Sequence, residues 1–280
     1  MNSLDTLQPF IFEHANIRGG IVRLDQTFKT IISQHPYPPM IKQFLGEAIT
    51  SSLLVAGSIK FEGEISLQFH GDKRLPLLIV QCNHQLQVRA FAKFQENAAD
   101  LDYQKSFLAG EMLLTINQYK QTQAYQSIVP IRSFSMSENL MSYFEQSEQI
   151  KSHVWLAVND DKAAGMLLQL MPEEDHTQHE QLWEYAIHIG QTLDKKELLT
   201  LDNHTLLHRL YHETELRLYN ARNIEFSCRC NVEKMKQVLT ILGQDDLEKL
   251  FDERGKIEIN CDFCNHNYIF DAIEIGSFFS

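Results

Sequence analysis

The chain has 280 residues, enough for one large domain and a smaller one, or for two domains of middling size. Its 37 acidic and 25 basic residues give a formal net charge of −12, which disfavours binding to nucleic-acid phosphates. No apolar stretch has the length of a transmembrane helix, and residues 1–8 lack the pattern of a signal peptide. We therefore expect a cytoplasmic protein with reduced thiols and with no nucleic-acid or membrane partner.

Residues 1–172 are predicted to form an α+β core domain built on a mainly antiparallel sheet. The strongest helix pattern is at 40–59, where apolar residues recur at helical spacing after two prolines. A second amphipathic helix is predicted at 137–150. Extended segments, separated by turn residues, are predicted at 10–24, 65–69, 76–82, 87–94, 112–116, 125–131, 154–158 and 166–170.

Residues 173–225 are predicted to form a helical linker. Its apolar residues, among them Leu182, Trp183 and Leu206, recur at helical spacing, but the pattern is broken at Gly190 and Asp202. Short amphipathic helices of this kind cannot form a core of their own. We therefore expect the linker to pack on the core domain.

Residues 226–280 are predicted to form a small C-terminal module with little apolar core. Helices are predicted at 232–242 and 245–252, and strands at 256–259 and 268–270 complete a hairpin. A module of this size needs a crosslink or a bound metal to fold stably. The free energy of metal binding would then contribute directly to the free energy of folding.

Four of the five cysteines lie in this C-terminal module as two close pairs. Cys228 and Cys230 form a Cys-x-Cys pair, and Cys261 and Cys264 form a Cys-x-x-Cys pair, with residues 231–260 between them. Four thiolates complete the tetrahedral coordination that Zn²⁺ prefers. The pattern therefore predicts one Zn²⁺ bound by all four cysteines.

The other metal and redox candidates have simpler interpretations. Cys82 ends an apolar run and is predicted to be a buried, inert thiol, with an additional redox sensor as the alternative. His204, His208 and His212 share one helical face, and two histidines at this spacing can bind a metal, but no HExxH motif is present. A solvated helix face is the preferred interpretation of these histidines. No triad, phosphate loop or dinucleotide motif is evident, so no catalytic or cofactor-binding residue is predicted.

The cysteine pattern and its surroundings carry a resemblance to a known family. The C-terminal motif is Phe226-x-Cys228-x-Cys230, followed after the insert by Cys261-Asp262-Phe263-Cys264 and Tyr268-x-Phe270. Further similar segments lie upstream at 37–38, 61–63, 164–169, 197–199 and 209–213. Over essentially its whole length, the chain resembles the bacterial 33 kDa chaperonin, a redox-regulated heat-shock chaperone.

Two positions depart from the pattern of that family. Asn265 directly follows the last cysteine, where the family usually has glycine, and asparagine tolerates the left-handed backbone expected there. Gly71-Asp72-Lys73 stands where the family often has Gly-Asp-Gly, which leaves the geometry of that turn open.

The resemblance implies a chaperone that holds unfolding client proteins without ATP, and not an enzyme. The reduced, zinc-bound form is implied to be inactive. Oxidation is implied to form the disulfides Cys228–Cys230 and Cys261–Cys264, to release Zn²⁺, and to unfold the C-terminal module and the linker. An apolar surface then becomes available to clients, and activation is associated with homodimerisation.

Two other functions remain open on the residues alone. A static zinc-ribbon adaptor would bind a protein or nucleic acid independently of oxidation. A dithiol oxidoreductase using Cys261 and Cys264 would need its Cys-x-x-Cys motif to open a helix after a strand, since that position lowers the pKa of a thiol. The hairpin predicted after Cys264 disfavours this enzyme.

Overall fold

The computed structural model describes residues 5–96, 98–172, 176–242, 247 and 256–271. The chain divides into two compact units, Met1–Phe226 and Ser227–Ser280. The helices expected in the linker therefore belong to the same unit as the core strands. The finer division into a core domain at 1–172, a linker at 173–225 and a module at 226–280 stays a prediction.

The first unit contains two six-stranded sheets. Its strands in chain order are β1 (Thr6–Phe12), β2 (Ile17–Leu24), β3 (Gly63–His70), β4 (Leu77–Asn83), β5 (Gln87–Lys93), β6 (Glu111–Gln118), β7 (Tyr125–Pro130), β8 (Ser152–Val158), β9 (Ala163–Leu170), β10 (Leu216–Leu218), β11 (Arg222–Asn223) and β12 (Glu225–Phe226). The first sheet has the order β10-β1-β2-β9-β8, with β11 also paired to β1, and the second has the order β12-β5-β4-β3-β6-β7.

Strand pairing in the first unit is antiparallel between all described strands except β12 and β5, which are parallel. The predicted fold class, α+β with a mainly antiparallel arrangement, is confirmed. The single extended segment expected at 10–24 is a hairpin of β1 and β2, with its turn between Phe12 and Ile17. The division of the strands into two sheets was not predicted.

The helices of the first unit are α1 (Gln26–Ile32), α2 (Pro39–Ser58), α3 (Asp100–Leu108), α4 (Met136–Tyr143), α5 (His176–Gly190), α6 (Lys195–Thr200) and α7 (Asn203–Tyr211). The helix predicted at 137–150 is α-helical only as far as Tyr143. It continues as a π-helical turn at Phe144–Glu148 and stops at Gln149, whose φ of 54° is left-handed. Helix α3 was not predicted, because its apolar stripe consists of little more than Tyr103 and Phe107.

Helix α2 lies in the main core and contacts strands of both sheets. Its residues Phe44, Leu45, Ala48 and Ile49 are buried together with inward-facing residues from both sheets. An apolar helix that packs on two sheets removes a large area from water, which is the main stabilising contribution to a fold of this kind. None of the described helices is long and apolar enough to cross a membrane.

Helices α5, α6 and α7 cover the other face of the first sheet. Apolar residues of these helices form a second buried cluster with residues of β1, β2 and β9; it includes Phe10, Phe12, Ile21, Met166, Leu168, Ala186, Leu198, Leu206, Leu207 and Tyr211. Polar contacts supplement this packing. Arg23 of β2 donates to the Leu198 carbonyl over 2.7 Å, and the Asn203 amide donates to Gln8 over 2.8 Å.

The described part of the second unit has a small core. It contains α8 (Val232–Leu242), which matches the predicted helix, and the antiparallel pair β13 (Ile257–Asn260) and β14 (Asn267–Phe270). The buried apolar residues described in it are Leu239, Leu247, Ile257 and Phe270. The helix predicted at 245–252 lies, apart from residue 247, outside the described residues.

Candidate metal centre

The four cysteines of the second unit are presented by two short segments. Cys228 and Cys230 lie just before α8, whose first turn is capped by Asn231 accepting from the Lys234 amide over 2.9 Å. Cys261 directly follows β13, and Cys264 lies in the turn that leads into β14. Each segment adjoins a regular element, α8 for the first pair and β13 for the second, and these elements position the sulfurs.

The turn that carries Cys261 and Cys264 is closed by two backbone hydrogen bonds. The Asn265 amide donates to the Cys261 carbonyl over 2.8 Å, and the Cys261 amide donates to the His266 carbonyl over 3.0 Å. Asn265 has a φ of 53°, which is the left-handed conformation expected for this position. Asparagine therefore replaces glycine here without loss of the turn.

The four cysteine sulfurs form one compact cluster. All four Sγ atoms lie within 4.8 Å of one another, with 3.7 Å between Cys228 and Cys261 and 3.4 Å between Cys230 and Cys264. Four thiolates at the usual Zn–S bond length would have sulfurs about 3.8 Å apart at the corners of a tetrahedron. The spacing and the soft donor set therefore fit Zn²⁺, and the structure brings together all four residues of the predicted site.

Two neighbours add polar contacts to the cluster. The Tyr268 hydroxyl donates a hydrogen bond to the Cys230 sulfur over 3.1 Å. The Lys234 ammonium donates to the carbonyl of Arg229, between Cys228 and Cys230, over 2.7 Å, and so places a positive charge beside the thiols. The sequence analysis placed Tyr268 in a motif but gave it no role. Its position four residues after Cys264, on the strand that follows, is the sequence feature that indicates a place beside the cluster.

The thiols of the cluster differ in their tendency to ionise. Burial raises the pKa of the Cys261 and Cys264 thiols. Burial also opposes ionisation of Cys228, but hydrogen bonds from the Cys230 backbone and from the neighbouring thiols outweigh it and lower its pKa to about 7. Several thiolates at this distance repel one another, so a bound cation is what would let all four ionise together.

The remaining metal and redox candidates lie apart from this cluster. Cys82 is fully buried in β4, as predicted, with its sulfur 3.4 Å from the Ser52 hydroxyl. His204, His208 and His212 are exposed on or at the end of α7. Across the described part of the chain, the four cysteines are the one group of three or more His, Cys, Asp or Glu with ligand atoms close enough for a metal ion.

The Cys-x-x-Cys motif does not open a helix. Cys261 and Cys264 lie in the turn of the β13–β14 hairpin, and the residues after Cys264 enter a strand. The position that lowers the pKa of an attacking thiol in dithiol oxidoreductases is therefore missing at these two residues.

Comparison with known proteins identifies the family. A model of the Hsp33 protein family matches residues 5–271. The chain belongs to the Hsp33 family. Among Hsp33 relatives, a 33 kDa chaperonin of Pseudomonas aeruginosa (strain LESB58) is 37% identical over 286 residues, covering 100% of this chain and 96% of that protein. A 33 kDa chaperonin of Shewanella woodyi is 35% identical over 279 residues, covering 99% and 96%. The resemblance noted from the motifs is confirmed.

The fold of the chain is also that of a solved Hsp33 structure. The crystal structure of the 33 kDa chaperonin (heat shock protein 33 homolog) from Thermotoga maritima superposes with a TM-score of 0.81 and 23% identity, covering 98% of this chain and 97% of that chain. At this identity the similarity concerns the fold alone. Membership of the Hsp33 family supports a heat-shock chaperone and not an enzyme.

Proposed function

We propose that the chain is a redox-regulated, ATP-independent chaperone that holds unfolding client proteins. The observation that carries the proposal is the convergence of four thiols within 4.8 Å in a member of the Hsp33 family. We place the protein in the bacterial cytoplasm, where thiols stay reduced at rest. We expect neither nucleic acid nor membrane as a partner, since the formal net charge is −12.

In the reduced state, Cys228, Cys230, Cys261 and Cys264 would hold one Zn²⁺. The ion would supply a tetrahedral crosslink between the start of α8 and the β13–β14 hairpin. The core described in the second unit is small, so a large share of its stability would come from this crosslink. We propose that this folded, reduced form is inactive as a chaperone.

Oxidation would remove the thiolates that hold the ion. Each disulfide takes two thiolates out of the ligand set and passes two electrons to the oxidant; hydrogen peroxide, with two protons from solvent, is reduced to two water molecules. We propose the pairs Cys228–Cys230 and Cys261–Cys264, as the family resemblance implies. In the folded state the sulfur distances of 3.7 Å and 3.4 Å join Cys228 to Cys261 and Cys230 to Cys264, so oxidation within each pair requires the sulfurs to rearrange.

Loss of the crosslink would unfold the second unit, and we propose that α5, α6 and α7 then leave the first sheet. Two observations support this step: α6 and α7 are short, with six and nine residues, and the three helices bury their apolar residues against one face of that sheet. Release would make apolar residues of the helices and of the sheet accessible to unfolding clients. Exposed apolar surface of this kind would also favour the homodimer that we expect on activation.

The experiment follows zinc release and suppression of client aggregation together, while the full chain is treated with peroxide at raised temperature. We expect one zinc released per chain and a parallel gain of aggregation suppression. The Cys82→Ala variant serves as the control and should behave as wild type, since Cys82 lies outside the cluster. No aggregation suppression after complete zinc release would end the proposal, and activity independent of oxidation would favour a static adaptor.

Peptide mapping of the oxidised chain tests the pairing itself. We expect Cys228 linked to Cys230 and Cys261 linked to Cys264. A majority of Cys228–Cys261 and Cys230–Cys264 links would mean that the shortest distances in the folded state decide the products.

A further inference from the structure

Three histidines form a ladder along the exposed side of α7. His204 and His208 lie within the helix and His212 is its C-cap residue, and all three are exposed. The ring centroids of His204 and His208 are 6.4 Å apart with the planes 13° from parallel, and those of His208 and His212 are 6.0 Å apart. Buried residues on the opposite side hold the helix against the first sheet: Leu206, Leu207, Leu210 and Tyr211.

The positions of these rings on the helix suit a shared metal ion. A ring nitrogen binds a divalent transition ion at about 2.0 Å, so the ring centroid lies roughly 3 Å from the ion, and two rings in adjacent coordination positions have centroids about 4.5–5 Å apart. The 6.0 Å and 6.4 Å found here are wider than this, so the exposed side chains rotate to bring one pair of rings together when the ion binds. Residues four apart on a helix face the same side, which is the spacing of paired histidine ligands in helical zinc sites.

We propose that this histidine ladder is a second metal site, for a first-row divalent transition ion such as Cu²⁺, Ni²⁺ or Zn²⁺ bound by two imidazoles and by water. His208 belongs to both pairs and a neutral imidazole has one acceptor nitrogen, so one ion is bound per chain. The formal net charge of −12 favours cation binding generally. The site uses no thiol and does not rest on the proposed function.

Binding at the ladder has a consequence for α7. Two imidazoles on successive turns can share an ion only while the helix is formed, so the ion stabilises the helical state. At a free ion concentration ten times the dissociation constant, local opening of α7 becomes about tenfold rarer. Because α7 packs on β1 and β2, the same ion retains the helix on the first sheet.

Calorimetric titration of the reduced, zinc-loaded full chain with Ni²⁺ tests the site. Ni²⁺ is used because Cu²⁺ oxidises thiols, and released zinc is monitored with a chromogenic chelator so that exchange at the cysteines is recognised. We expect one Ni²⁺ per chain without zinc release. His208→Ala removes both pairs and should weaken binding at least tenfold. His204→Ala and His212→Ala each leave one pair and should weaken it by only about twofold.

His188→Ala is the matched control, since His188 is an exposed histidine on the neighbouring helix α5 and lies outside the ladder. It should leave Ni²⁺ binding unchanged. Alanine is a good helix former, so these exposed substitutions retain α7, which circular dichroism verifies. Hydrogen exchange should show slower exchange of the α7 amides with Ni²⁺ in wild type and no slowing in His208→Ala. Equal weakening by His188→Ala, or binding unchanged in His208→Ala, overturns the proposal.

Discussion

Tyr268 connects β14 to the cysteine cluster through the hydrogen bond from its hydroxyl to the Cys230 sulfur. The same hydrogen bond, together with burial, raises the pKa of Tyr268, so the hydroxyl stays protonated and remains a donor. A donor to a thiolate withdraws charge from the sulfur, which lowers its nucleophilicity. Contacts of this kind around a metal ligand contribute to metal affinity as well as to ligand orientation.

Tyr268→Phe should therefore weaken zinc binding by about tenfold and accelerate peroxide oxidation of the cluster. Competition with a zinc chelator measures the first effect, and the rate of zinc release under peroxide measures the second. Tyr219→Phe is the control, because Tyr219 is an exposed tyrosine of the first unit. Equal zinc affinity and equal oxidation rates in Tyr268→Phe and wild type would assign no role to the hydrogen bond.

Zinc affinity should rise with pH through the neutral range. A thiol binds Zn²⁺ only after losing its proton, and burial raises the pKa of Cys261 and Cys264, so protons compete with the ion at neutral pH. Cys228, with its pKa lowered to about 7, adds to this competition as the pH falls below 7. We expect apparent affinity to fall more than tenfold from pH 8 to pH 6. Chelator titrations at several pH values measure the apparent affinity. An affinity that stays within a factor of two between pH 8 and pH 6 would contradict the expectation.

At the scale of secondary-structure elements, Arg23 links the first sheet to two helices. Its guanidinium donates to the Leu198 carbonyl at α6 and to the Asn203 side chain at the start of α7. Burial lowers the pKa of Arg23 to about 10, opposed in part by the charge of Asp202. The Arg23 Nη2 atom is buried with no hydrogen-bond partner among the described residues. Arg23 therefore links the sheet to the helices with only part of its hydrogen-bonding capacity used.

Arg23→Met should loosen α6 and α7 from the first sheet. The substitution retains the apolar stem but leaves the Leu198 carbonyl and Asn203 without their donor, at a cost of about 1–3 kcal/mol. We expect faster hydrogen exchange in α6 and α7. Arg18→Met is the matched control, because Arg18 on the same strand donates to Gln169 within the sheet. Equal acceleration of exchange in both variants would mean that general destabilisation of β2, and not the link, is responsible.

Local patterns were sufficient for several elements. Apolar residues at helical spacing predicted α2 and α8 closely. Helix α2 is buried on nearly all sides from Ala48 to Ala56, and α8 packs Met235 and Leu239, one turn apart, on the small core. The expected break at Asp202 is the N-cap of α7, where the Asp202 carboxylate accepts from the Thr205 amide over 3.0 Å. The π-helical turn after α4 has no such local signature, and its position depends on packing around Tyr143 and Phe144.

At the scale of the whole molecule, the two compact units should respond differently to loss of metal. The first unit has a large core around α2, whereas the second has a small described core beside the four thiols. Chelation of zinc under reducing conditions should therefore unfold α8 and the β13–β14 hairpin and leave α2 protected. Hydrogen exchange with and without a chelator measures this difference.

Chelation should also activate the protein less than peroxide does, because the reduced chain carries no covalent constraint and can still sample its folded form, whereas the disulfides hold the second unit away from it. Client binding by the chelated protein is expected to stay below that of the oxidised protein. Equal client binding by the two forms would contradict this. A second unit that keeps its protection after complete zinc removal would contradict the dependence of its fold on the metal.

The cysteine spacing, the helix stripes and the alternating strands are local features, so the amino-acid sequence alone was sufficient to predict the thiol cluster, the fold class and the family. Strand partners, in contrast, are chosen between distant residues. The two-sheet arrangement with α2 in the main core, the parallel pair of β12 with β5, and the contact of Tyr268 with Cys230 depend on which surfaces pack together. The sequence placed three histidines on one face; only the folded helix, held by its buried side, sets the neighbouring rings 6.4 Å and 6.0 Å apart.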